Sequence, residues 1–141
     1  MSALTITAAN VLKITGKPIQ GTALSTLTAG MAIYKDGTQG IYGDNVAASD
    51  ANGSALLRTT IGVTLHAALA GQPILYMGTD GDVISFGAIL TQNLCYIAGA
   101  TTPGDINPIA DITTGWYLST IGFAQTTSYL RLAFYSSGVA T

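Results

Sequence analysis

His66 is the only side chain in this sequence suited to general-base work near neutral pH. A nucleophilic triad would need a carboxylate to orient it and a hydroxyl or thiol to receive its help. The chain holds one His and one Cys, Cys95, and neither stands in a recognisable motif. His66 falls on the polar face of an alternating run, where a solvated or hydrogen-bonded imidazole is expected. Cys95 lies within Leu94-Cys95-Tyr96-Ile97, where it reads as a small buried hydrophobe. A lone thiol also excludes an internal disulfide and any cysteine-cluster metal site. All the acids are Asp and there is no Glu, so carboxylate-pair hydrolysis would have to rest on two Asp residues.

The remaining motifs are weaker still. Asp50-Ala51-Asn52-Gly53-Ser54 sets oxygen side chains at alternate positions, as a calcium loop does. Its Gly comes too early, however, and Ile61 stands where a bidentate Glu would close the cage. Asp80-Gly81-Asp82 reads first as a turn between strands. The Gly37–Gly43 stretch lacks both the Lys and the following helix that a phosphate cradle requires. The expectation is a protein that is not an enzyme, with no cofactor and no metal. Trp116 and the scattered Tyr residues are the better candidates for binding, since they give large contact area at low entropic cost. Trp116 either fills the core or faces a partner.

The elements that must position these residues are strands. Ile61, Val63 and Leu65 alternate with Thr60, Gly62, Thr64 and His66, and Leu130, Leu132 and Phe134 alternate with Tyr129, Arg131, Ala133 and Tyr135. Shorter runs occur at Met31–Lys35, Pro73–Met77, Asp82–Phe86, Leu94–Ala98 and Trp116–Ile121. Asp–Gly pairs at 36–37, 43–44, 80–82 and 104–105 separate them, because Asp bonds nearby backbone and Gly admits tight turns. Period two with frequent turns predicts an all-β fold, a small barrel or sandwich of short antiparallel strands. Helix is expected only as a turn or two within Thr7–Lys13, Val46–Ala51 or His66–Ala70.

An internal echo suggests two similar halves. Leu27-Thr28-Ala29-Gly30-Met31-Ala32-Ile33-Tyr34 resembles Leu90-Thr91-Gln92-Asn93-Leu94-Cys95-Tyr96-Ile97, and Thr60-Ile61-Gly62-Val63 resembles Thr120-Ile121-Gly122-Phe123. Each then leads to an apolar strand containing a Tyr, Tyr76 or Tyr135. The alternative is chance similarity between β-rich segments.

Five bases and seven acids among 141 residues are few beside the roughly 25% charged share of an average soluble domain. Such a surface is either coated by Thr and Ser or covered in an assembly, and a homo-oligomer is the sharper expectation. No basic cluster exists, which argues against nucleic acid. The uncharged stretches 59–79 and 83–104 alternate instead of staying apolar, so membrane spanning is not expected. Residues 1–20 have neither a basic start nor a long apolar run, so no signal peptide is expected.

Length fits one domain, divided as an N-terminal arm or edge strand over 1–21 and a single β domain over 22–141. The first segment carries two short candidate strands, Leu4–Thr7 and Val11–Thr15, and two of the bases, Lys13 and Lys17. It is either an arm reaching a neighbouring molecule or the first strand of the domain.

The order of features resembles a known family. Leu27-Thr28-Ala29-Gly30-Met31-Ala32-Ile33 is followed by the Asn/Asp/Ala-rich Asp44–Asn52 and by Thr60-Ile61-Gly62-Val63-Thr64-Leu65. Then come Ala70-Gly71-Gln72-Pro73-Ile74-Leu75-Tyr76, Gly81-Asp82-Val83 and Ile121-Gly122-Phe123-Ala124. Across residues 22–135 this is similar to the capsid decoration, or cement, proteins of tailed bacteriophages. That resemblance implies a small β-barrel, a trimer or other oligomer, and a virion-surface role assembled in the host cytoplasm. Its partner would be the major capsid protein lattice, reached in part through an N-terminal arm, and the family has no catalytic residues. In such an arm Leu4, Ile6, Val11, Lys13, Ile14 and Lys17 become the candidate capsid-binding residues, the apolar ones setting the register of an added strand. Alternatives are a head-fibre base or tail component, or a carbohydrate-binding β module using Trp116.

Overall fold

The computed structural model describes residues 3–140; Met1 and Ser2 of the N-terminal segment and Thr141 lie outside the described residues. The fold is all-β. Among the described residues eleven strands run in chain order as β1 Leu12–Thr15, β2 Ile19–Ala23, β3 Ala32–Gln39, β4 Asp44–Ala48, β5 Gly62–Thr64, β6 Pro73–Met77, β7 Val83–Ser85, β8 Cys95–Ala98, β9 Ile106–Pro108, β10 Tyr117–Ala124 and β11 Tyr129–Ala140. The only helical pieces among the described residues are single 3-10 turns at Ala8–Asn10 and Ile109–Asp111. Of the three expected helical turns, one falls in the Thr7–Lys13 stretch. Val46–Ala51 instead overlaps β4, and His66–Ala70 is irregular, carrying the isolated bridge Leu27–Ala68.

Strands β2 to β6 form a closed barrel in the order β2-β4-β3-β5-β6, and the strands of the second half, joined by β1, form a six-stranded sheet in the order β1-β7-β11-β10-β8-β9. Pairing is antiparallel throughout except where β2 runs parallel to β4, with Thr22 opposite Asn45 and Ala23 opposite Val46. The Asp36–Gly37 pair does not turn the chain. It sits inside β3, where the pairing with β4 slips between Lys35 and Gln39, and Gly37, with φ +90°, takes up the irregularity.

The echo in the sequence is a repeat in space. In the barrel Ala32 opposes Val63 and Ile33 opposes Gly62; in the sheet Cys95 opposes Phe123 and Tyr96 opposes Gly122. Ile33, Tyr34 and Lys35 face Ala48, Ala47 and Val46, as Tyr96, Ile97 and Ala98 face Pro108, Asn107 and Ile106. The loop bonds match as well. Gly30 N–H donates to Thr64 O at 2.9 Å and Thr64 N–H to Met31 O at 3.0 Å, while Asn93 N–H donates to Ala124 O at 2.7 Å and Ala124 N–H to Leu94 O at 3.0 Å. Asn93, the only non-glycine with positive φ among the described residues (68°), stands where the first half has Gly30 (75°). Asn is the side chain that best tolerates this region. Ladder register makes Leu130, not Tyr135, the counterpart of Tyr76: Thr64 opposes Tyr76 and Ala124 opposes Leu130.

Both halves share one core. Ala29, Ala32, Val63 and Met77 from the first pack with Ile84, Phe86, Tyr96, Ile121, Leu130 and Leu132 from the second. A second cluster around Ile33, Val46, Ile74 and Tyr76 fills the barrel. Burial of apolar surface at roughly 25 cal/mol per Å² is what drives the two halves together.

Candidate interaction surface

The residues with chemical potential are each engaged in structure. Leu75 N–H donates to His66 Nε2 at 3.0 Å, and His66 Nδ1 lies 2.9 Å from Ala67 O. The imidazole therefore holds the start of β6 against the chain leaving β5. Half-buried Cys95 has its thiol pKa pushed up by desolvation, which lowers its thiolate fraction and with it its nucleophilicity. Among the described residues no three of His, Cys, Asp and Glu gather where they could hold a metal.

A cleft of about 640 Å³ is lined by Ala3, Asp105, Asn107, Asp111, Thr113 and Trp116 among others. It has the residue types of a sugar site, but not the geometry. Trp116 is only 9% exposed and packs with Ala51 and Ile97 in a small third cluster, so it offers little ring face for stacking. Asn107 donates to Asp111 Oδ2 at 2.9 Å. Its Oδ1 has no partner among the described residues and lies against Gly99, where a side chain would collide with it. Burial pushes the Asp105 carboxyl pKa up, opposed by a backbone hydrogen bond from Thr102.

The six residues proposed for capsid binding divide into two sets. Val11 is buried in the shared core, and half-buried Leu4 and Ile6 pack against it. Lys13, Ile14 and Lys17 are exposed, beside Leu12, which is 57% exposed. Residues 12–15 pair with β7, Leu12 opposite Ser85 and Lys13 opposite Ile84. The boundary drawn at 21/22 falls inside β2, a barrel strand held between β4 and β6.

One apolar surface was not singled out in the sequence. Opposed residues in a sheet share a face, and the ladder sets Leu12 beside Ser85, Ser85 beside Tyr129, and Phe123 beside Arg131. Leu12, Phe123 and Tyr129 are all well exposed on this outer face, at 57%, 50% and 39%. Arg131 is the charge placed among them. Alternation at 129–135 puts Tyr129 and Arg131 on one face, but Phe123 and Leu12 come from other strands. Only the register joins them. No protein-family model matches this chain, and no curated protein matches it.

Proposed function

We propose that this chain is a non-enzymatic virion structural protein that binds and stabilises an assembled capsid, as a decoration or cement protein. The observation that carries the reading is the outer sheet face of Leu12, Phe123 and Tyr129, left uncovered on a chain with five bases and seven acids. Exposed apolar faces of this kind mark protein contacts. They suit a lattice binder, where a shallow contact repeated by an oligomer gains avidity without new chemistry. The protein works as a homo-oligomer, preferably a trimer, on the capsid surface, and its partner is the major capsid protein. Its association depends little on salt, because apolar burial is not screened.

The test is co-sedimentation of the purified protein with emptied mature capsids. The wild type should pellet saturably, and Phe123→Asp with Tyr129→Ser should weaken binding by roughly tenfold or more while leaving the far-ultraviolet circular dichroism unchanged. A wild type that remains in the supernatant refutes the reading. Saturable quenching of Trp116 fluorescence by glycans would support the carbohydrate-binding alternative in its place.

A further inference from the structure

The pairing order of the two halves differs at one place, the seam. In the barrel the seam is internal: β2 lies parallel to β4, and Leu24 N–H donates to Val46 O at 2.9 Å. In the second half β7 and β9 are the equivalents of β2 and β4, and they stand apart in the strand order. The counterpart of Val46 is Ile106, since Val46 opposes Lys35 as Ile106 opposes Ala98. The Ile106 carbonyl accepts from Leu4 N–H at 2.9 Å. The same N-terminal segment then continues as β1 along β7. Residues 4–15 thus bond to both β7 and β9, the two strands whose barrel counterparts meet directly.

This segment is joined to the rest of the chain only through Gly16, Lys17 and Pro18. Gly16 has φ +99°, and a side chain there would run into the Asp82 carboxylate. Pro18 holds Lys17 out of the helical region. All four residues of β1 are exposed on their side chains, so the segment is held by its ladder, by Thr15 Oγ1 accepting from Val83 N–H at 3.1 Å, by Val11 and by the half-buried Leu4 and Ile6. A short hinge with fixed backbone, next to a strand that docks through local contacts, is the arrangement in which identical elements change places between copies.

We propose that residues 3–15 are an exchangeable strand, and that the gap between β7 and β9 is a binding site for this segment from a second copy of the chain. Every contact made within one chain is available across two, because the acceptor is the same surface. Only residues 16–18 change conformation. This does not depend on the capsid reading, and an oligomer formed through the outer sheet face alone would lack it.

The experiment uses the full chain with Cys95→Ser, Leu12→Cys and Ser85→Cys, which places two thiols on directly opposed residues of β1 and β7. Isotopically heavy and light protein are refolded together at high concentration, oxidised mildly and run on a denaturing, non-reducing gel. Exchange gives covalent dimers or rings whose linked peptides pair heavy with light. Exclusively intrachain bridges from micromolar to millimolar protein overturn the proposal. A second variant, with four Gly/Ser residues inserted between Lys17 and Pro18 and the native Leu12 and Ser85, relaxes the hinge. It should cut the exchanged oligomer seen by light scattering roughly tenfold, by favouring closure on its own chain. An unchanged distribution also overturns it.

Discussion

Gly122 gives the sharpest test of the fold, because β10 and β11 approach so closely there that no side chain fits. A Cβ at this position would fall on the Arg131 carbonyl oxygen, with the Arg131 carbonyl carbon at 2.9 Å and Leu132 Cα at 3.1 Å. These obstacles are backbone atoms inside a ladder, so relief requires the strands to move apart. Overpacking of a close-packed interior costs about 1–3 kcal/mol, and a backbone obstacle belongs at the upper end. Against this, Ala lowers the entropy of the unfolded chain by about 0.4–1 kcal/mol. The net loss for Gly122→Ala is then about 2–2.6 kcal/mol, or roughly 7–9 °C in Tm for a domain of this size. The counterpart, Gly62, meets the Tyr76 ring at 2.6 Å and Met77 O at 3.0 Å; a ring edge can yield slightly, so Gly62→Ala should cost less, about 1–2 kcal/mol. Gly37 has nothing within 4 Å but carries φ +90°, which isolates left-handed strain at about 1 kcal/mol. Thermal melts of the three variants by circular dichroism should rank Gly122→Ala as the most damaging. A Gly122→Ala protein that melts within about 2 °C of wild type would refute the close approach and the register that depends on it.

Desolvation raises the Asp105 carboxyl pKa above its ordinary 3.8, so the folded state holds its proton more tightly than the unfolded state and stability falls as pH rises through that window. Asp105→Asn should therefore melt higher than wild type at pH 7, and the gain should disappear below about pH 3.8, where the carboxyl is protonated in both states; a melt series across pH checks both ends. Burial likewise raises the Cys95 thiol pKa, and a disulfide reagent at pH 7.5 should label it slowly in the native protein and rapidly in denaturant. Trp116, packed with Ala51 and Ile97, should emit at short wavelength and resist iodide quenching, and Trp116→Ala should cost about 3 kcal/mol in a denaturant titration.

The fold class was legible because its cause is local. Alternation at 129–135 and 61–65 and the Gly and Asp punctuation are properties of a few neighbouring residues, and β6 spans the Pro73–Met77 run read from sequence. β2 escaped notice because Ile19–Ala23 contains Gln20, Gly21 and Thr22 and shows little alternation. It is a strand because β4 and β6 pair with it on both sides, an effect of tertiary context that overrides propensity. β4 was read as a helical turn for the same reason: Val46, Ala47 and Ala48 carry weak local preference until β3 supplies the ladder. The outer apolar face was illegible in a stronger sense, since Leu12, Tyr129 and Phe123 come to one face only through three successive registers.

The divergence of the halves follows from a few residues of β9. In the barrel, β4 offers Asn45 and Val46 to the parallel strand β2. The ladder makes Asp105 the counterpart of Asn45, and Asp105 is committed to a turn, its N–H donating to Thr102 O at 3.1 Å. On the other side β9 ends at Pro108, which has no N–H to give. β9 is left as a three-residue strand whose Ile106 carbonyl accepts from Leu4 N–H. A strand edge left open beside a shared core exposes both unpaired backbone and apolar side chains. The N-terminal segment answers both needs at once: Leu4 N–H donates to the Ile106 carbonyl, Val11 is buried in the core, and Leu4 and Ile6 pack against that core. The extra strand β1 belongs to the same N-terminal segment that bonds to β9 through Leu4. Its outer edge and exposed Leu12 in turn extend the apolar face on which the proposed lattice contact rests.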